Sequence, residues 1–509
     1  MSLLPLNENA LFIRFWRPQG RPERLWPFVI FYPALAVAVI ISCCVIRLYS
    51  LNPDWLWPDV AFMILAGLEG AILILAGSYS VAVRATGEVA SGTLDFHRAS
   101  PTPVTDQAIG LVLGPPATAW ICFALGAPTL LLCAALGSVS LLGGFMTLLS
   151  LMCSALFFHL VTAAAGLSQK KGANAKASPQ GWGWAVLILL LMVNFFPSWE
   201  QNPLPAFAGS VPVILHVIGV NQEHLRHAFF GLNLPPLVTQ IIVQAPLMAM
   251  AALAARRAIR YPDRPALSKR VALALAGWLF ILFTAATVGS GTADWNASLE
   301  EFCPVGAMLF AMLIGGCLLV AVTPSYGLYC GGLRRRAEGL VPRGQFLDDA
   351  AGNGGWSLLF MAITLAFYAA VWIGRGMKEL LWMPPAAMAL YFGWFAQSLE
   401  YFRLRPAQRK GTLFPLLLAV LWVILPIIGV IAVSAAEHWT ACSAWLASAC
   451  PLFGILQALK EAEVPRTGPL AVFTVNLALF VLFAILAHTR RRAIARRIES
   501  ARKPSTPSP

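Results

Sequence analysis

Apolar runs of about 20 residues, the length a helix needs to cross the hydrocarbon core of a bilayer, recur along this chain from end to end. Twelve are read, at 27–46, 59–83, 107–136, 142–167, 182–197, 234–255, 271–290, 304–323, 356–374, 381–400, 413–433 and 469–488. The stretch 203–220 is apolar enough for a thirteenth span. It is read as a re-entrant hairpin, because a further crossing would invert the sidedness of every loop after it. Composition closes the other routes. Hydrophobic residues make up 58% and charged residues 12% of 509, against about 45–50% and 25% in soluble domains. A soluble enzyme, a disordered regulator or a nucleic-acid-binding module of this composition would leave large apolar patches in water.

The placement of positive charge predicts the topology. With the N-terminus in the cytoplasm, the inner segments collect Arg14, Arg17, Arg21 and Arg24, the run Arg256–Arg270, Arg334–Arg336, and Arg490–Arg497. Of the 36 Lys and Arg, only Arg47, Arg226, Arg375, Lys378, Lys460 and Arg466 fall on the outer side. The expected fold is therefore an all-α polytopic membrane protein of about 12 transmembrane helices, with both termini cytoplasmic. The net charge of +13 is topogenic and faces anionic lipid heads, so nucleic acid is not needed to explain it.

The runs divide into two six-helix halves. Residues 1–26 form a cytoplasmic interfacial segment, in which Asn7–Arg24 mixes Leu11, Phe12, Phe15 and Trp16 with arginines and suits a helix lying in the membrane interface. It lacks a small-residue cleavage site and does not read as a secretory signal. The first half covers 27–255, with a polar inner segment at 84–106; a basic linker covers 256–270. The second half covers 271–488, with an inner segment at 324–355, and a basic tail follows at 489–509. Six spans per half give both halves one orientation, as in a parallel repeat about the membrane normal.

Ionisable groups deep in a span are candidates for function. Glu69 stands between Gly67 and Gly70, and either lines a translocation path or pairs with a polar group between helices. His159 reads as a hydrogen-bonded packing residue. The scarcity of such groups argues against a proton- or sodium-driven carrier. His224 and His227 in an outer segment lack a clear third ligand, so no metal site is expected. The ten Cys show no zinc spacing, and only Cys442 and Cys450 share an outer segment where a disulfide is feasible. No Gly-x4-Gly-Lys-Ser/Thr phosphate loop is present.

The most informative stretch runs from Glu88 to Gly114. Gly92 breaks the preceding helix, and Thr93 caps a short new one ending near Ala99, before Ser100-Pro101. This helix is expected to lie across the inner face, exposing Leu94, Phe96, Glu88, Asp95 and Arg98 as a docking surface. Ser100 or Thr102 caps the next helix near Pro103, and Gly110 and Gly114, four apart, offer a small face for close packing.

Glu88, Gly92, Thr93, Leu94, Asp95, Phe96, Pro101, Asp106, Gly110 and Gly114 fall at the spacing of the coupling region of type-2 ATP-binding-cassette (ABC) transporter permeases. That region typically reads Glu-x3-Gly-Thr-Leu, an acidic and a hydrophobic residue, Pro, then a helix with Gly-Lys-x-x-Gly. Asn7–Leu25 resembles the family's elbow helix. Leu111 stands where the family usually has Lys, and 324–355 lacks the pattern, carrying Arg334-Arg335-Arg336 and Asp348-Asp349 instead.

The resemblance implies a permease that binds no cofactor and has no ATPase activity of its own. A separate cytosolic ATPase subunit, in two copies, would hold ATP and Mg and dock on 92–100. Transport, most often export, would cross the cytoplasmic membrane of a bacterium. The competing readings are an ion-coupled secondary carrier and a membrane enzyme acting on lipid-linked substrate. The first predicts a charged Gly-x3-Asp-Arg-type loop after the second span, and the second predicts convergent carboxylates or histidines in the outer loops.

Overall fold

The computed structural model describes residues 8–49, 57–168, 207, 209–219, 229, 232–261, 264–289, 315–316, 318–340, 347–374, 383–404 and 467–500. The described residues are helical apart from turns, with no strand beyond one isolated bridge, Phe229 to Leu232. Among the described residues, six helices are long and apolar enough to cross a membrane, as an all-α membrane protein requires. The expected spans at 182–197 and 413–433, most of 304–323, the outer histidines, and Cys442 and Cys450 lie outside the described residues. The chain separates into two compact units, the first essentially Met1–Pro262 and the second essentially Asp263–Pro509.

The first unit begins with α1 (Ala10–Gln19), capped by the Asn9 side chain, which accepts from the Phe12 amide. A break at Gly20 and Arg21 leads into α2 (Pro22–Tyr49). The second span is one column of α3 (Trp57–Gly70), a π-helical turn (Ala71–Ala76) and α4 (Gly77–Ala90). A short α5 (Thr93–Ala99) follows.

The expected continuous span at 107–136 is instead two helices, α6 (Val104–Leu113) and α7 (Ala117–Leu136). Consecutive prolines at 115 and 116 lack the amide protons a continuous helix would need there, and hydropathy alone does not register that interruption. Then come α8 (Leu141–Leu167), the seven-residue α9 (Val211–Val217) and α10 (Pro236–Arg260). Within 203–220 the described residues show α9 packed beside α8, where Val217 Cγ1 would lie 2.8 Å from a Cβ on Gly143.

Burial ranks these helices. Only 17% of the most apolar window of α2 is buried within the protein, against 56% for α8. So α8 is central and α2 peripheral, with Ile30, Phe31, Ile41 and Leu48 of α2 facing outward as a lipid-facing helix demands. Lipid tails provide no hydrophobic drive between helices, so polar and small residues hold α8 to α10. Gln240 Nε2 donates to Ser150 O at 3.0 Å and Ser154 Oγ at 2.9 Å, and Ser150 Oγ donates to Gln240 Oε1 at 2.6 Å. The π-turn is held likewise: His159 of α8 donates through Nε2 to Leu73 O at 3.0 Å. A side chain on Gly77 would run into that imidazole.

The second unit contains α11 (Lys269–Gly289), α12 (Tyr326–Ala337), α13 (Gly354–Gly374), α14 (Met383–Arg403) and α15 (Thr467–Ser500). Residues 391–400 of α14 are buried on every side, which makes α14 the core helix. Its aromatic side chains interlock with neighbours: Phe392 with Phe360, and Trp394 stacked on Phe483 with its indole N–H on Asn476 Oδ1 at 2.8 Å. The expected basic tail at 489–509 is helical as far as Ser500, continuous with the last span. Arginine is a good helix former and adds no break.

At one end of this unit a buried polar knot fixes the turn before α13. Lys269 Nζ donates to Ala351 O at 2.5 Å and Gly352 O at 3.1 Å. Asn353 N donates to Glu400 Oε2 at 2.7 Å, and Arg491 pairs with the same carboxylate at 3.4 Å. Lys269 and Glu400 are both fully buried, so each depends on these partners.

Candidate functional site

The stretch Glu88–Gly114 folds as a corner between two long helices. α4 ends at Ala90, and Gly92 takes φ 75°, the left-handed region that glycine enters at least cost. This reverses the chain into α5 within two residues. Gly92, not Thr93, is thus the N-cap, and Thr93 is the first helical residue. Its hydroxyl lies 2.5 Å from Ser91 Oγ, bracing the corner instead of capping it. α5 ends at Ser100, whose hydroxyl donates to His97 O at 2.7 Å, and Pro101 and Pro103 prevent its continuation. Pro103 is also the N-cap of α6, without a side-chain cap, so neither Ser100 nor Thr102 serves there as expected.

Two residues expected on the docking surface are inside. Leu94 is 2% exposed, turned into the unit as the anchor of α5. Glu88 is also buried, because Arg14 of α1 reaches it. Arg14 Nη2 stands 3.1 Å from Glu88 Oε1 and Nη1 3.3 Å from Oε2, a forked pair. What α5 presents outward is Asp95, Phe96 and Ala99, with Phe96 74% exposed.

The helix is gripped from several elements. On one flank, Arg14 Nη1 lies 2.8 Å from His97 Nε2, which is 3.7 Å from Glu88 Oε2. On the other, Arg98 donates from Nε to Ile259 O at 2.6 Å and from Nη2 to Ala258 O at 3.0 Å. These are carbonyls of the last turn of α10, which have no partner within the helix. Arg98 also pairs with Asp95. Gln107 of α6 donates to His97 O at 2.8 Å and Thr102 O at 3.0 Å. Arg14, His97 and Gln107 were not singled out from sequence as site residues, and Arg98, expected on the docking surface, holds α10 instead. Their role depends on α1 and α10, distant in sequence, lying against α5, and no local pattern signals it.

α1 itself is seated on α6. Asn9 Nδ2 donates to Asp106 O at 2.6 Å, and Gln19 Nε2 to Pro115 O at 2.7 Å. Gly110 and Gly114 form the seat, where a Cβ on Gly110 would lie 2.8 Å from Phe12 N and one on Gly114 2.9 Å from Phe15 Cβ. Asp106 is buried in the first turn of α6. Its carboxylate oxygens have no hydrogen-bond donor among the described residues, and the positive end of the helix dipole is the compensation nearest to it.

Glu69 lies apart from this corner, on α3. Its carboxyl and the Tyr32 hydroxyl of α2 converge on Gly126 of α7, filling the space a side chain there would take. Glu69 is buried there, and neither of its carboxyl oxygens has a hydrogen-bond partner among the described residues. Among the described residues no three His, Cys, Asp or Glu are grouped to hold a metal.

Burial lowers the His97 imidazole below its usual range; Glu88 pulls it upward and Arg14 adds to the lowering. The unfolded chain therefore takes the proton first as pH falls below about 6.5. Stability is expected to decline through that window, as protonated His97 meets Arg14. His97→Asn should flatten the decline in thermal melts between pH 7.5 and 5; an unchanged slope would refute this role for the imidazole.

No protein-family model, curated protein or solved structure matches this chain.

Proposed function

We propose that the chain is the permease subunit of a type-2 ABC transporter. It works in the cytoplasmic membrane of a bacterium and moves substrate, in the export direction, with ATP hydrolysed by a separate cytosolic subunit. The observation that carries the reading is α5: a short helix at a chain reversal, bearing the Glu-x3-Gly-Thr-Leu spacing, with Phe96 exposed among well-anchored neighbours. An aromatic side chain standing out of a rigid support is the kind of group that anchors a protein interface. The forked Arg14–Glu88 pair and the Arg98 grip on α10 tie α5 to α1, α4 and α10, so a push on Phe96 reaches the spans. The substrate is left open by this reading.

The test is recovery of the ATPase. The full chain, tagged at its C-terminus and extracted from native membranes in mild detergent, should bring down a stoichiometric protein bearing a Gly-x4-Gly-Lys-Ser/Thr loop. Phe96→Asp should cut that recovery by about tenfold or more, since a central aromatic anchor is commonly worth 2 kcal/mol or above. Insertion and melting should stay unchanged, because Phe96 is exposed and its one ring contact among the described residues is with the adjacent His97. Leu94→Asp is unsuitable, since Leu94 is buried. Absence of any such ATPase from the wild-type preparation under several detergents would overturn the proposal.

A further inference from the structure

Helix α15 carries an exposed stripe that changes chemistry along its length. Leu477, Val481, Ile485, His488, Arg492 and Arg496 follow one another at steps of three or four residues, and all six are exposed. That spacing places them on one face. The upper part of the stripe is purely apolar, and the lower part holds two guanidinium groups. Arg491, a third of a turn away, is taken by Glu400. Arg492 and Arg496 have no acidic partner among the described residues; Glu499 follows at the far end of the same stripe without an ion pair there.

The two parts fit one molecule. Arg492 lies about 10 Å beyond Ile485 along the axis and Arg496 about 16 Å. The layer of lipid heads is about 5–7 Å deep on each side of the hydrocarbon core. Side chains on a helix lean toward its N-terminus, here back toward the apolar part, so both guanidinium groups reach toward the head layer from below. We propose that this stripe is a binding site for an anionic phospholipid, with acyl chain along Leu477, Val481 and Ile485 and phosphate between Arg492 and Arg496.

A soluble acidic partner would use the arginines and leave the apolar stripe bare. A second copy in the same orientation would set arginine against arginine. Only a lipid uses the whole stripe.

The full-length chain in neutral detergent is offered equal amounts of phosphatidylglycerol and phosphatidylcholine of matched acyl chains, and retained lipid is read by native mass spectrometry. The expected preference for phosphatidylglycerol is about tenfold to thirtyfold, from two basic groups at the membrane surface. Arg492→Gln/Arg496→Gln should bring it to near parity, and Arg492→Lys/Arg496→Lys should keep most of it. Millimolar inorganic phosphate should not displace the lipid. Parity in the wild type, an undiminished preference in the Gln variant, displacement by free phosphate, or a dimer abolished by the Gln variant would each overturn the assignment. Should the Gln variant fail to fold, the wild-type preference and its fall on raising salt to 0.5 M decide the matter.

Discussion

Gly110→Val is expected to unseat α1 and lower the melting midpoint of the purified protein by about 5 °C or more. The added branches would meet Leu11 Cβ and the Phe12 amide, both at 2.8 Å from the first new carbon, and Asn9 Oδ1 at 2.6 Å. Two of these atoms belong to the backbone or to a Cβ, so no side-chain rotation clears them. Overpacking of this kind commonly costs about 1–3 kcal/mol, and more where backbone must move; each kcal/mol is worth roughly 2–4 °C in a domain of 150–250 residues. Gly110→Ala should fall between wild type and valine. Because Asn9, Arg14 and Gln19 lose their partners together, trypsin should cut faster at Arg14, which Phe15 follows. An unchanged midpoint and cleavage rate in the valine variant would mean that α1 does not rest on α6.

In the second unit the largest effect is expected from Lys269→Met, at about 2–5 kcal/mol, since two buried carbonyls lose a charged donor at about 1–3 kcal/mol each. The substitution keeps the chain length and apolar stem. It leaves Ala351 O and Gly352 O without the donors they have now, and leaves Arg491 as the cation paired with Glu400. Adding Glu400→Gln should recover part of the loss, since the remaining side chain is neutral. Thermal melts of the two single variants and the double variant form a cycle. Strict additivity would show that Lys269 and Glu400 do not sense one another.

The membrane-helix class was legible because hydropathy and length act locally. An apolar run such as Leu141–Leu167 has little choice but to become a helix, and does. Breaks inside apolar stretches were less legible. Pro128 sits within the helix α7, whereas the pair at 115 and 116 divides α6 from α7, and composition scores both stretches alike. The corner at Gly92 was readable from one glycine, but the direction of each α5 side chain was not. Leu94 and Phe96 are both apolar in sequence, and which one turns inward is decided by where α4 and α10 lie. Glu88 shows the same limit in charge: it reads as a solvated carboxylate until Arg14, 74 residues earlier, is seen beside it. Small residues were the better guide, since Gly110 and Gly114 mark a close approach whichever helix makes it.

The π-turn at Ala71–Ala76 amounts to one extra residue in a helical column. Each residue of an α-helix advances the azimuth by about 100°, so the extra one resets the phase between the two ends of the span. Glu69, above the turn, looks toward α2 and α7, while Glu88, below it, looks toward α1. In an uninterrupted α-helix these two carboxylates would differ in bearing by about 100° from where they stand, and no single placement of the column would satisfy both neighbourhoods. His159, bonded at Leu73 O inside the turn, sits at the joint where that angular offset is set.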